Sequence, residues 1–174
     1  MKRLSNRTVL LSALSLVASL TVVCAHAQPT SEVIAAMNEA PIHNAARMGS
    51  RSDVEQLLKT SAQNRDIRTP LGATPLHHAA MNGDSGPTKA LLAAGANPNA
   101  RDMDGRTALH MAAFSTRKDN AMLLLRAGAD PLLKTNDGRD VLSMARKVRA
   151  DELAGEVSLW ILKGCRAEKP VKGC

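Results

Sequence analysis

Large rings are scarce in this chain: among 174 residues there is no Tyr, one Phe (Phe114) and one Trp (Trp160). Strands of β-sandwiches and barrels favour aromatic and β-branched side chains, so this scarcity argues against both architectures. A core so poor in rings must be filled by Leu, Ala, Val, Ile and Met, which suits closely stacked helices. Cysteine is also sparse, at three residues, and no glycine-rich phosphate loop, G-x-S-x-G elbow or Cys–His pairing occurs. Those absences remove the usual signatures of nucleotide binding and nucleophilic catalysis. What is present is an ordinary globular composition, 44% apolar and 22% charged, with 11 Gly and 8 Pro, neither disordered nor fibrous.

The N-terminus reads as an address. Met1 to Arg7 carry Lys2, Arg3 and Arg7 and no acid, an apolar run follows from Val9 to Val23, and Ala25-His26-Ala27 precedes Gln28. A basic start, a short greasy middle and an A-x-A end are the three parts of a secretory signal peptide. A membrane anchor is the rival, but a spanning helix needs about 20 apolar residues. A lipid attachment at Cys24 is a further rival, and Thr21-Val22-Val23 before it lack the small residues such sites use. The expectation is cleavage after Ala27 with proportions that look bacterial, hence a periplasmic mature chain with no membrane span.

Setting residues 1–27 aside, with their three cations and no anions, lowers the net charge from +7 to +4 over the rest. No stretch concentrates basic residues among aromatics, so nucleic-acid binding has little support. Cys24 leaves with the signal. The two remaining cysteines, Cys165 and Cys174, form an even set in an oxidising compartment and suggest one disulfide closing the tail 164–174. A redox or intermolecular role for the pair is the alternative.

Self-similarity organises the remainder. Thr74-Pro75-Leu76-His77-His78-Ala79-Ala80 recurs 33 positions later as Thr107-Ala108-Leu109-His110-Met111-Ala112-Ala113, with Ala40-Pro41-Ile42-His43-Asn44-Ala45-Ala46 before them and a worn Asp140-Val141-Leu142-Ser143-Met144-Ala145 after. Leu91-Leu92-Ala93-Ala94-Gly95-Ala96-Asn97-Pro98-Asn99 returns as Leu124-Leu125-Arg126-Ala127-Gly128-Ala129-Asp130-Pro131-Leu132, and Asp104-Gly105-Arg106 returns as Asp137-Gly138-Arg139. Three landmarks in step at one period resemble ankyrin repeats, over about residues 31–163. The resemblance implies an all-α solenoid of about four helix-turn-helix repeats joined by short β-hairpin loops. The domain is placed at 28–163, with repeats near 38–66, 67–101, 102–134 and 135–163, the outer two degenerate as caps are.

Each landmark has a local physical reason. Thr caps a helix and Pro at its first position loses no needed hydrogen bond. Ala79-Ala80 and Ala112-Ala113 admit a close neighbour. Gly49 and Gly83 are expected to take left-handed backbone where the first helix of the pair ends, and Gly95 and Gly128 to stop the second. Asp-Gly at 104–105 and 137–138 supplies a tight turn. Departures are expected to matter as well. Thr116 stands where Gly49 and Gly83 stand, so its turn should be strained or rearranged. Repeat one offers Ser61-Ala62-Gln63 in place of Gly-Ala-Asp, the hairpin over 66–72 should be one residue longer and project, and Ser85-Gly86-Pro87 should open its helix late.

His43, His77 and His110 share one repeat position, so they lie a helix apart, about 8–10 Å. Imidazoles so spaced cannot share a zinc ion, whose bonds to nitrogen are only about 2 Å long. Their expected role, as the resemblance implies, is to bridge backbone groups of adjacent repeats. No metal, cofactor or catalytic set is therefore expected, and the carboxylate pairs Asp102 with Asp104 and Asp151 with Glu152 fall where solvated or capping roles are usual. A hydrolase using His77 or His110 is the enzymatic rival.

What the resemblance implies instead is a protein partner held on the inner helices and hairpin tips. Carried over position by position, that surface comprises Arg47, Met48, Met81, Asn82, Met103, Arg106, Phe114, Ser115, Arg139 and Lys147, with Val148, Leu71, Ala73 and Asn136 beside them. Phe114 and its methionines are either contact residues or gap fillers between repeats, and the cations would steer an acidic partner. The expected protein is a periplasmic monomer that binds another protein. Its role is either inhibition or immunity against a periplasmic effector, or stress protection as an accessory.

Overall fold

The computed structural model describes residues 39–164. Those residues form eight α-helices in pairs: α1 (Pro41–Met48) with α2 (Arg51–Thr60), α3 (Pro75–Met81) with α4 (Gly86–Ala93), α5 (Ala108–Phe114) with α6 (Lys118–Arg126), and α7 (Val141–Lys147) with α8 (Asp151–Leu162). A 3₁₀ turn, Ala62–Arg65, follows α2. The inner helices pack in sequence, α1 on α3, α3 on α5 and α5 on α7, while α2, α4 and α6 form an outer row. This is the all-α repeat solenoid that the landmarks imply. The signal segment and the Cys165–Cys174 pair lie outside the described residues.

No single pair could bury its own apolar stripe, and the stack makes one core of all four. Ile42, Leu76 and Leu109 occupy one repeat position on the inner helices, Val141 lies one residue before it in repeat four, and each is at most 1% exposed. Val54, Leu91, Leu124, Leu125 and Val157 answer them from the outer helices, likewise fully buried. Ala46, Ala79, Ala80, Ala112, Ala113 and Ala145 are sealed as well, and only a methyl-sized side chain lets the inner helices approach so closely. The last helix is less well covered: Leu159 and Leu162 stay exposed on α8.

The starts of the inner helices show why Thr and His recur together. In α3 the backbone N–H of Thr74 donates to His77 Nδ1 at 3.1 Å and the Thr74 hydroxyl lies 2.9 Å from the same nitrogen, so this ring carries its proton on Nε2. That Nε2–H then donates to the carbonyl of Arg106, one repeat on, at 3.1 Å. Thr107 and His110 repeat the local half of the arrangement at 3.2 and 2.9 Å. His110 Nε2 lies beside the Arg139 and Leu133 carbonyls without a hydrogen bond of good geometry. His43 donates from Nε2 to Ile67 O at 3.1 Å. The expected bridging role therefore holds across repeats for His43 and His77.

Repeat one departs in a telling way. Ala40 stands at the N-cap of α1 with no side-chain hydrogen bond to offer, and the buried Nδ1 of His43 is left without a partner. The same helix start in repeats two and three is closed by a threonine hydroxyl.

Two expectations about the turns require correction. Gly49 is not left-handed: its φ is −89° and ψ 179°, plain extended backbone, and Gly83 likewise has no positive φ. Gly49 is needed for space, since a Cβ there would sit 2.6 Å from the Ala45 carbonyl oxygen. The left-handed residues at this position are Thr116 (φ 56°) and Arg149 (φ 57°). There Arg117 N–H reaches Ala112 O at 2.8 Å and Ala150 N–H reaches Ala145 O at 2.9 Å, the 6→1 bonds of a Schellman end. Repeats one and two leave their helices extended because a neighbouring asparagine supplies the missing donors: Asn82 gives its amide to Ala46 O and Gly49 O at 3.1 Å each, and Asn120 does so for repeat two. The strain expected at Thr116 is thus present.

The hairpin after repeat one is also not longer. Thr69 N–H donates to Ala73 O and Gly72 N–H to Thr69 O, as Asp102 to Arg106 and Gly105 to Asp102 do one repeat later. The extra residue is absorbed by the end of α2 and its 3₁₀ turn, where Asn64 donates to Leu57 O at 3.0 Å. The tip does not stand apart either, because Leu71 O accepts from Met103 N–H at 3.0 Å. The late start of α4, by contrast, is as expected, with Gly86 its first residue and Ser85 its N-cap.

The successive tips are tied by a ladder in which Arg68 donates to Arg101 O, Arg101 to Lys134 O and Asn136 to Met103 O, each at 2.8 Å and from one repeat to the next. Asn99 does the same for the outer turns, donating to Gly128 O at 3.0 Å. Asn120, buried in α6, reaches back to the carbonyls of Ala79, Ala80 and Asn82.

Ala40→Thr is expected to stabilise the protein by about 1 kcal/mol, because the hydroxyl supplies both a helix cap and a partner for His43 Nδ1. Urea unfolding checks this, and no gain over the parent would refute it. A second expectation concerns pH. Burial lowers the imidazoles of His77 and His110 below their ordinary 6.5, and burial together with the neighbouring Arg47 guanidinium lowers His78 to about 4. The unfolded chain therefore binds more protons than the folded one between these values. Stability is complete above about pH 6.5 and should decline steadily as the pH falls towards 4, before most carboxylates titrate. Urea midpoints that stay flat over that window would contradict it.

Candidate functional site

The inner helices and hairpin tips converge on a shallow concavity of about 190 Å³ between repeats three and four. Phe114, Met111 and Met144 supply its apolar lining, while Arg106, Arg139, Lys147, Thr135 and Asp137 supply its polar lining. The helix period explains the grouping. Met111 and Phe114 are three positions apart on α5, as Met144 and Lys147 are on α7, so each pair shares a face. Phe114 ends its helix with 54% of its surface exposed, whereas Met111 is half-buried and Met144 buried.

Four of the ten positions read from the sequence, Arg106, Phe114, Arg139 and Lys147, are brought together here. The others are distributed along the stack. Met48 is almost fully exposed at the end of α1, and Met103 is exposed on its hairpin tip beside Leu71. Met81 and Ser115 are half-buried at inner-helix ends. Asn82 is engaged within the protein: its amide donates to Ala46 and Gly49, and its Oδ1 accepts from Asp84 N–H at 2.9 Å. Arg47 is similarly engaged, held by both Glu39 carboxylate oxygens at 2.7 and 2.8 Å and by His78 Nδ1 at 3.2 and 3.3 Å.

The cations of the concavity differ in their surroundings. Arg106 pairs with Asp104 and Arg139 with Asp137, each at 3.1 Å and within its own hairpin tip. The Thr135 hydroxyl donates to Asp137, and this bond, together with the nearby Arg139, holds the carboxyl below its usual range. Lys147 forms no ion pair with a carboxylate among the described residues. Met111, Met144, Thr135 and Asp137 were not singled out from the sequence. The signal for the first two was available, since they hold equivalent positions in successive repeats and each lies one helical turn from a position already chosen.

The remaining hollows have other characters. One of about 320 Å³ lies over Asn82, Gly83 and residues 116–120, where the Arg117 guanidinium sits 3.9 Å from the place a Gly83 side chain would occupy and donates to Met81 O. No group of three His, Cys, Asp or Glu side chains placed to hold a metal occurs among the described residues. No described helix is long and apolar enough to cross a membrane.

Comparison with known proteins agrees with the geometry. The family described as "Ankyrin repeats (3 copies)" matches residues 20–135, two-thirds of the chain. The palmitoyltransferase Hip14 of Drosophila melanogaster is 35% identical over 77 residues, which is 44% of this chain but 11% of that protein, and what the two share is the repeats. Repeats of this kind are typically non-catalytic modules for protein–protein interaction. With paired helices, Thr-His helix starts and hairpin tips all recurring in step, the chain belongs to the ankyrin-repeat family.

Proposed function

We propose that the chain is exported, cleaved after Ala27, and acts in the periplasm as a monomeric binding protein that grips another protein through the face around Phe114. The observation that carries this reading is the placement of the only phenylalanine, half-exposed in a concavity where four of the sequence-derived contact positions meet. A ring in water at a helix end contributes little to the core, whereas it contributes strongly at an interface. Binding is preferred over catalysis because His43 and His77 are committed to carbonyls of the next repeat and the carboxylates nearest Phe114 are already paired. No cofactor enters this reading. An inhibitor or immunity protein would be encoded beside a secreted effector whose toxicity it neutralises, and a stress-protection accessory would not.

Phe114→Ala is expected to abolish capture of the periplasmic partner while lowering stability by about 1 kcal/mol or less. Affinity purification from periplasmic extract with mass spectrometry, alongside circular dichroism melting, measures both. A large loss of stability would place the ring in the core instead. For the address, osmotic-shock fractionation should release a protein whose intact mass begins at Gln28. Reduction should add the mass of two hydrogens as Cys165–Cys174 opens. A cytosolic product that retains Met1 would end the export reading.

A further inference from the structure

We propose that the Phe114 concavity is an anchor site for a single large apolar side chain, Leu, Met or Phe, carried on a partner peptide with a carboxylate next to it. The inference rests on reading this face as the contact surface, and it adds the chemistry of what is held. Size sets the first half. About 190 Å³ accommodates one side chain of that class rather than several. The lining beneath is a ring and two thioethers, Phe114, Met111 and Met144, which adapt to a flexible apolar group better than to a rigid polar one.

Charge sets the second half. Any partner that fills the hollow also covers Lys147, whose ammonium forms no ion pair among the described residues. Removing water from an unpaired ammonium is costly, so a neutral or basic partner would bind against that penalty and an acidic one would offset it. Arg106 and Arg139 support the same sign. The closest approach of each to its own aspartate is made by one nitrogen, Nη1 of Arg106 and Nε of Arg139, at 3.1 Å. A guanidinium has five N–H donors, so most remain for a second acceptor. Asp137 does not compete for the incoming charge, because Thr135 and Arg139 already hold it.

The test is selection from a displayed library of random linear peptides on the mature protein, followed by fluorescence anisotropy with an enriched peptide. The expected result is enrichment of a large apolar residue adjacent to Asp or Glu. Binding should be lost in Phe114→Ala, weakened about tenfold or more in Lys147→Glu, and unchanged in Leu132→Ala, an exposed leucine outside the lining that controls for lost apolar surface. Circular dichroism on each variant separates unfolding from lost contact. Peptides that are basic or uncharged yet still depend on Phe114 would overturn this proposal and leave the contact surface standing. No enrichment, or binding indifferent to Phe114→Ala, would overturn both. An oligonucleotide that competes with the selected peptide at equal concentration would also overturn it.

Discussion

Everything in this protein depends on each repeat leaving backbone groups and apolar surface that only the next repeat can satisfy. The His77 ring makes the dependence concrete. One nitrogen closes the start of its own helix through Thr74, and the other crosses to the carbonyl of Arg106. Asn82, Asn99, Asn120, Arg68 and Arg101 do the same at other levels of the stack. An unpaired buried carbonyl or N–H costs about as much as a lost hydrogen bond, so these crossings hold the repeats in register while the leucines and alanines hold them together.

The proposed binding face is a by-product of that regularity. Because inner helices follow one another at one spacing, the residue that ends one helix stands next to its counterpart on the next. Met81, Phe114 and Lys147 form such a series. In repeats three and four the row meets hairpin tips bearing Arg106 and Arg139, and the space between becomes a hollow rather than a flat wall. At the opposite end the same position is Arg47, and Glu39 with His78 engages it. One series of equivalent positions thus yields a closed ion cluster at one end and an open hollow at the other.

Much of the fold was legible because the period repeats chemistry and not merely hydropathy: Thr-x-x-His, the alanine pairs and Asp-Gly each need a particular backbone. Legibility failed where two solutions to one problem exist. A helix end can be finished by a left-handed residue or by a donor from a neighbour. Glycine at 49 and 83 suggested the first, yet Asn82 and Asn120 supply the second, and the left-handed turns fell to Thr116 and Arg149. The extra residue of repeat one was visible as a count, but only packing could assign it to the end of α2 and not to the hairpin.

From the order of residues alone came the repeat, its length, its paired helices, the exposure of Phe114 as one of two alternatives, and the candidate face. The reason is that helix capping and apolar spacing act over a few neighbours and are written locally. Only the tertiary structure decided which of those ten side chains are free to meet a partner. Asn82 and Arg47 are consumed by groups from other parts of the chain, while Phe114 and Lys147 are brought to one hollow from successive inner helices. Availability is set by neighbours remote in the chain, and nearness in space is what the linear order does not carry.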